Sequence, residues 1–377
     1  MSKVCVVTAQ SFPSGMASNN RILSYSKGLV EIGNEVDVLS INKSNEASGE
    51  ITGIKYSNLG GQFNNKLLIM ISGIYKLISS LLRSNYGSLI VVSNNAILLL
   101  LLYMVCKIKK IVYIQEKSEF PFVLNSQGII KNIFSRLYVK FIYRIFDGMI
   151  IMTQPLMDYF KDKTSKKCQL FLMPMTVDVT RFDEVEDIGR YSNCITYCGS
   201  MGGNKDGVKN LIESFSFIKD KYKDINLLLL GTASPSELND MKQYANSLAP
   251  GRVVFEGSIS RDKMPFYLKN SKILALARPS SLQSTGGFPT KLGEYLSTKK
   301  PTIVTAVGDI PKYLENRDNA FVVTPDDNNI FANNLSYIID NYEEALEVAG
   351  EGYKLVMNVF NYKAQSIRLN DFLNSFK

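Results

Sequence analysis

The sequence predicts an α/β protein of two domains, each a parallel sheet covered by helices on both faces. Three observations carry this. Short apolar runs rich in Val, Ile and Leu alternate with longer helical patterns along the chain. The rhythm is interrupted once, between Met173 and Arg190, by a Pro and a charged, weakly apolar segment. At 377 residues the chain is also too long for one ordinary core. The domains are expected over 1–175 and 176–360, with 361–377 as a helix crossing back to the first.

In the first domain the strand-like runs are 4–9, 36–40, 89–93, 111–114 and 149–152, each followed by a turn and a helical pattern. In the second they are 194–198, 226–230, 253–256, 273–277, 302–305 and 321–323. The longest apolar stretch, 96–106, is about half of the roughly 20 residues a membrane span requires, and reads as a buried helix. No signal peptide is expected, because 3–9 is a short apolar run without a cleavage site and reads as the first strand.

Hydrophobic residues at 45% and charged residues at 21%, without low-complexity tracts, exclude a disordered chain. With no histidine at all, Ser-His-Asp and Cys-His hydrolases, histidine metal sites and histidine bases are excluded. The five cysteines, Cys5, Cys106, Cys168, Cys194 and Cys198, read as reduced, buried thiols of a cytoplasmic protein. Cys194 and Cys198 lack the further ligands zinc would need.

The net charge of +8 and pI near 9.0 call for an anionic partner. No nucleic-acid motif accompanies the charge. In the stretch 129–145, Lys131, Arg136, Lys140 and Arg144 are interleaved with apolar residues, which fits a helix on an anionic bilayer as well as a core helix with solvated cations.

Open α/β sheets bind ligands beyond the carboxyl ends of their strands. The loop after the first strand, 11–21, carries Gly15 among small residues ahead of a helical pattern, but not a dinucleotide fingerprint, which argues against a nicotinamide oxidoreductase. The loop after Cys198 runs Gly199-Ser200-Met201-Gly202-Gly203-Asn204-Lys205-Asp206-Gly207, with room for an anion and Lys205 to meet its charge, though taken alone Lys205 reads as an exposed loop lysine. The segment from Arg278 is the most informative. It passes Gly286, Gly287, Phe288 and Pro289 into a helix carrying Thr290, Lys291, Leu292 and Glu294. Pro289 suits a first helical position, so backbone N–H groups there can face a diphosphate, with Glu294 near enough to accept from ribose hydroxyls. The competing reading is an exposed Lys291–Glu294 pair three residues apart.

From Gly286 through Glu294 and on through residues 299–311, the chain resembles the donor site of the GT-B enzymes of glycosyltransferase family 4. The resemblance continues through Tyr197-Cys198-Gly199, 205–208, 174–178, Gly15 and 360–362, essentially the whole chain. It implies two facing Rossmann-like domains with a cleft between them, and a retaining transfer from a nucleoside diphosphate sugar. No Asp-x-Asp metal motif stands out, so no metal or other cofactor is expected where the site's cations suffice. The family's pair of glutamates falls on Gly286 and Glu294, so only the ribose anchor survives. Its arginine and lysine for phosphate fall on Ser200 and Lys205, leaving Arg278 as the expected replacement for the missing charge. Where many relatives carry a histidine, the loop after 111–114 offers Glu116 and Glu119, the latter favoured, to orient or deprotonate an acceptor. The expected acceptor is a glycan or lipid-linked sugar at the inner face of a bacterial membrane, in surface polysaccharide or glycolipid assembly, with a soluble small-molecule acceptor as the alternative. The loss of the first glutamate leaves a second reading open, an inactive partner or regulatory subunit of a transferase.

Overall fold

A computed structural model describes residues 2–13, 17–121 and 129–376, with residues 129–134 described as backbone. Two compact units emerge, Met1–Thr176 together with Tyr362–Lys377, and Val177–Asn361.

The first unit holds strands β1 (Lys3–Thr8), β2 (Glu35–Ser40), β3 (Ser48–Ile51), β4 (Ile54–Asn58), β5 (Ser88–Val92), β6 (Val112–Lys117), β7 (Gly148–Ile151) and β8 (Gln169–Leu172). They form one sheet in the order β3-β4-β2-β1-β5-β6-β7-β8, parallel except for the β3–β4 hairpin. Alternation along β1 explains the layering: Cys5 and Val7 enter one core while Val4 and Val6 enter the other, on the opposite face. The five strands read from sequence are all present. The other three, β3, β4 and β8, were not visible as apolar runs. β3 and β8 are the two edges, where no residue is fully buried, so neither strand needed a continuous apolar pattern.

Among its helices, Ala17–Glu31 packs against Tyr362–Asn374, and a Cβ at Gly28 would come 2.2 Å from Ser366 Oγ, so that crossing is open only to glycine. The helix Ala96–Lys109 corrects the expectation of a buried helix. Leu98, Leu99, Leu102, Val105 and Cys106 are buried, but Ile97, Leu100, Met104 and Ile108 lie exposed on its other side.

The second unit holds β9 (Tyr191–Cys198), β10 (Asn226–Leu230), β11 (Val253–Gly257), β12 (Ser271–Leu276), β13 (Thr302–Thr305) and β14 (Phe321–Val323). All six predicted runs are strands, and all pair parallel in the order β11-β10-β9-β12-β13-β14. Numbered within the unit this is 3-2-1-4-5-6, the order whose direction reverses between strands 1 and 4. The reversal lies between β9 and β12, and the loops leaving those strands are the two glycine-rich segments singled out from sequence. Among the described residues no helix is long and apolar enough to cross a membrane. All five cysteines are unbridged and only Cys168 is not buried.

Candidate functional site

The loop after β9 begins with a close backbone approach. Gly199 has φ +142°, and a Cβ there would lie 2.1 Å from Lys291 Nζ. Gly207, at φ +66°, ends the loop with its backbone against Ala277 O. These glycines therefore let the loops after β9 and β12 touch each other.

The contact is ionic. Lys291 Nζ donates to Asp206 Oδ2 at 2.5 Å and to the Tyr197 hydroxyl at 3.0 Å, while Tyr197 donates to Ser200 O at 2.7 Å. Burial pushes the Asp206 carboxyl up, but the Lys291 ammonium bonded to it, with Arg278 and the Tyr197 hydroxyl, outweighs that and holds it below the usual carboxylate range. Burial, and then the charge of Asp206, raises the Tyr197 phenol well above its ordinary value, so it stays neutral and donates.

One turn on, Glu294 Oε1 accepts from Arg181 Nη1 at 2.5 Å, and Arg181 Nη2 donates to Arg261 O at 2.6 Å. Lys291 and Glu294 thus do not pair with each other on an open face. Each is largely buried and engaged with a different, distant segment. Burial, and next to it the charge of Arg181, lowers the pKa of Arg261.

Arg278 requires a correction. It stands beyond the end of β12, as expected, but its side chain is fully buried. Nη1 donates to Gly287 O at 3.1 Å and Nε to Lys205 O at 3.4 Å, with Asp206 Oδ1 3.6 Å away. It ties the two loops together from beneath; reaching a diphosphate directly would require exchanging these bonds. Leu292 is corrected likewise, since its side chain is in the core and its N–H already donates to Pro289 O at 3.0 Å. The helix here is Lys291–Ser297, two residues later than Pro289, because Thr290 is its N-cap. Phe288 is buried and packs on Tyr313 and Phe360, anchoring the segment through Gly286, Gly287 and Pro289, all buried, while Thr290 is half-buried. Ser200 is exposed and Lys205 half-buried at the mouth of the first loop.

In the first unit, Glu116 is not in a loop. It lies in β6 and is buried, accepting from Arg21 Nε at 2.5 Å and from the Tyr25 hydroxyl at 3.0 Å. Arg21 also donates from Nη1 to Pro174 O at 2.6 Å and from Nη2 to Met173 O at 2.8 Å. Glu116 therefore ties β6 to the helix Ala17–Glu31 and, through Arg21, to the exit of β8. Glu119 is exposed in the following loop. Lys117, between them, is buried and donates to Asn94 Oδ1, and burial pushes its ammonium down to about 7. Gly15 lies outside the described residues.

Sequence reasoning missed Arg181, Tyr197 as a donor, and Asp206 as the counter-ion of Lys291. Arg181 is 113 residues from Glu294, so no local pattern announces it. Asp206 was legible as a polar neighbour of Lys205, but only the approach of the two loops assigns it a partner.

Residues 192–341 match the family model for glycosyl transferases group 1. Among solved structures, a sucrose-phosphate synthase from Thermosynechococcus elongatus superposes with a TM-score of 0.80 at 15% identity, covering 100% of this chain and 99% of its own. HepE of Anabaena, solved in complex with UDP and glucose, gives 0.75 at 14% identity over 100% of both chains. The chain has the GT-B fold. A third GT-B structure, WaaG, a glycosyltransferase involved in lipopolysaccharide biosynthesis, gives 0.70 at 10% identity, covering 98% of this chain and 99% of its own. No curated protein matches the chain by sequence.

Proposed function

We propose that this chain is a glycosyltransferase that moves a sugar from a nucleoside diphosphate sugar to an acceptor hydroxyl, with retention at the anomeric carbon. One observation carries the reading. At the reversal point of a 3-2-1-4-5-6 sheet, Asp206 and Lys291, both within the segment matched by the family model, form one ion pair, and Glu294 of the same segment forms a second with Arg181, which precedes it; neither pair is sealed or fully open.

In this reading Glu294 exchanges Arg181 for ribose hydroxyls. Lys205, half-buried at the loop mouth, and Lys291, partly released from Asp206, meet the diphosphate. Arg278 acts from below by holding the loops at Gly287 and Lys205. As the bond from the anomeric carbon to the phosphate oxygen breaks, its electrons pass to the diphosphate. The acceptor oxygen bonds to the same carbon, and its proton goes to the departing diphosphate oxygen. No metal or other cofactor is needed where these cations suffice, and in this reading Glu119, exposed after β6, orients the acceptor. A glycan or lipid-linked acceptor in bacterial surface polysaccharide or glycolipid assembly is supported by similarity to WaaG, and by the basic stretch 129–145 as an attachment to the inner membrane face.

Thermal unfolding against UDP, GDP and ADP sugars tests this. One nucleotide series is expected to raise Tm, with about 2.7 kcal/mol gained at a hundredfold excess over Kd. Glu294→Gln should lose roughly tenfold in affinity through weaker hydrogen bonds to the ribose. If no nucleotide shifts Tm, the donor reading is wrong. Gly286 in place of a glutamate favours one alternative, an inactive transferase partner. Binding without transfer of labelled sugar to any acceptor or to water would establish that instead.

A further inference from the structure

Of the twenty large hydrophobic side chains exposed among the described residues, eleven sit on three helices of the first unit. Leu67, Leu68, Ile71, Tyr75 and Leu82 lie on Lys66–Arg83; Ile97, Leu100, Met104 and Ile108 on Ala96–Lys109; Leu137 and Phe141 on Ile129–Phe141. The first two helices pack against each other, and Ala96–Lys109 packs against the turn Ile142–Arg144 that ends the third. All three cover the same core on one face of the sheet, so their outer sides lie on the same side of the unit. On Lys66–Arg83 the buried positions Ile69, Gly73, Leu77 and Leu81 recur every four residues, and the exposed apolar positions occupy a separate stripe. The apolar outer stripe is therefore additional to what the core requires.

Charge identifies what covers it. The 96 residues 51–146 hold twelve Lys and Arg against two acids, a net of +10 in a chain whose total is +8. One of the two acids, Glu116, is sealed against Arg21. Lys66, Lys76, Arg83, Arg136, Lys140 and Arg144 are all exposed on the helices that bear the apolar stripe or the turn beside it. A second copy of this face would set cations against cations, and a protein partner would need an acidic rim around an apolar centre. An anionic phospholipid surface supplies both, acyl chains beneath a layer of phosphates.

We infer that the outer face of helices Lys66–Arg83, Ala96–Lys109 and Ile129–Phe141 docks onto an anionic bilayer, with the helices lying in the interface. The helix Ala96–Lys109 spans only about 21 Å, too short for the hydrocarbon core, so it lies on the membrane rather than crossing it. The inference places the contact chiefly on two helices outside the basic stretch read from sequence, and it is independent of the donor site.

Sedimentation of the full chain, without nucleotide, tests it with vesicles of phosphatidylcholine alone and with about one-third phosphatidylglycerol. Anionic vesicles are expected to bind at least tenfold more tightly, and high salt to weaken that binding. The triple variant Ile71→Ser, Tyr75→Ser, Met104→Gln and the double variant Lys76→Glu, Arg83→Glu should each lose roughly tenfold, with thermal unfolding unchanged because every altered side chain is exposed. Equal binding to both vesicles, or variants that bind like the parent chain, overturns the inference. So does a dimer in light scattering that the triple variant dissolves, since a second copy then covers the face. None of these outcomes touches nucleotide binding, so the two proposals fail separately.

Discussion

Both units place ion pairs near the carboxyl ends of their parallel strands, yet the pairs differ in one respect. Arg21 and Glu116 in the first unit have side chains 2% and 4% exposed, and the guanidinium and carboxylate spend their hydrogen bonds on each other, on Tyr25 and on two carbonyls. In the second unit Arg181 and Glu294 are 13% and 17% exposed, and Lys291 and Asp206 14% each. A sealed pair has no way to trade its partner for a ligand and serves as a tie. A pair with a solvent edge can trade partners, because incoming hydroxyls or phosphates replace what is lost. The same chemistry thus reads as architecture in one unit and as a candidate binding site in the other.

The comparison breaks first on stability. Arg21→Ala, which strands Glu116 in the sheet, is expected to cost about 3–5 kcal/mol, whereas Arg181→Ala should cost about 1 kcal/mol because Glu294 can rehydrate. Urea titration of the two variants checks this; equal costs would erase the distinction.

Next in size is the buried cation beside the sealed pair. Burial holds the Lys117 pKa near 7, below its unfolded value, so between about pH 7 and 10 the unfolded chain binds the extra proton and stability rises with pH. Lys117→Met should therefore raise the urea midpoint at pH 6, by on the order of 2 kcal/mol, with the gain shrinking toward pH 10. A gain that does not depend on pH would mean that the lysine is not held neutral.

Asp206 gives a slope of the same sign at acid pH, through an anion that stabilises the fold rather than a cation that destabilises it. Its folded pKa is depressed, so its contribution is complete above the unfolded value of about 3.9 and is lost as pH falls through the folded one. Asp206→Asn should flatten the loss of stability as pH falls below about 4, read from urea midpoints across that range. An unchanged slope would detach Asp206 from Lys291. The smallest effect is expected at Tyr75, exposed on the apolar stripe, where Tyr75→Ser should change stability by less than about 0.5 kcal/mol in the same assay.

The strands were legible wherever both faces of the sheet are covered, because such strands must be apolar throughout. Cys194 to Cys198 and Leu227 to Leu230 are examples. The edges β3 and β8 escaped because an edge strand is not obliged to be apolar. The two donor-side loops were legible through their glycines, which permit the φ +142° of Gly199 and the +66° of Gly207. The engagement of Arg278, Glu116 and Leu292 was not legible. A sequence shows that an arginine or glutamate follows a strand, not whether its side chain turns inward, and that choice depends on carbonyls and hydroxyls supplied from elsewhere in the fold.

The sequence by itself determined the α/β rhythm, the absence of histidine chemistry and the placement of basic charge in the first half, since each depends on residue types and local spacing. The tertiary structure alone decided that Arg181 meets Glu294, that Lys291 meets Asp206, and that the apolar residues of three separate helices share one outer face. Those pairings join segments up to 113 residues apart, and only the folded strand order brings them within the few ångströms over which hydrogen bonds and packing act.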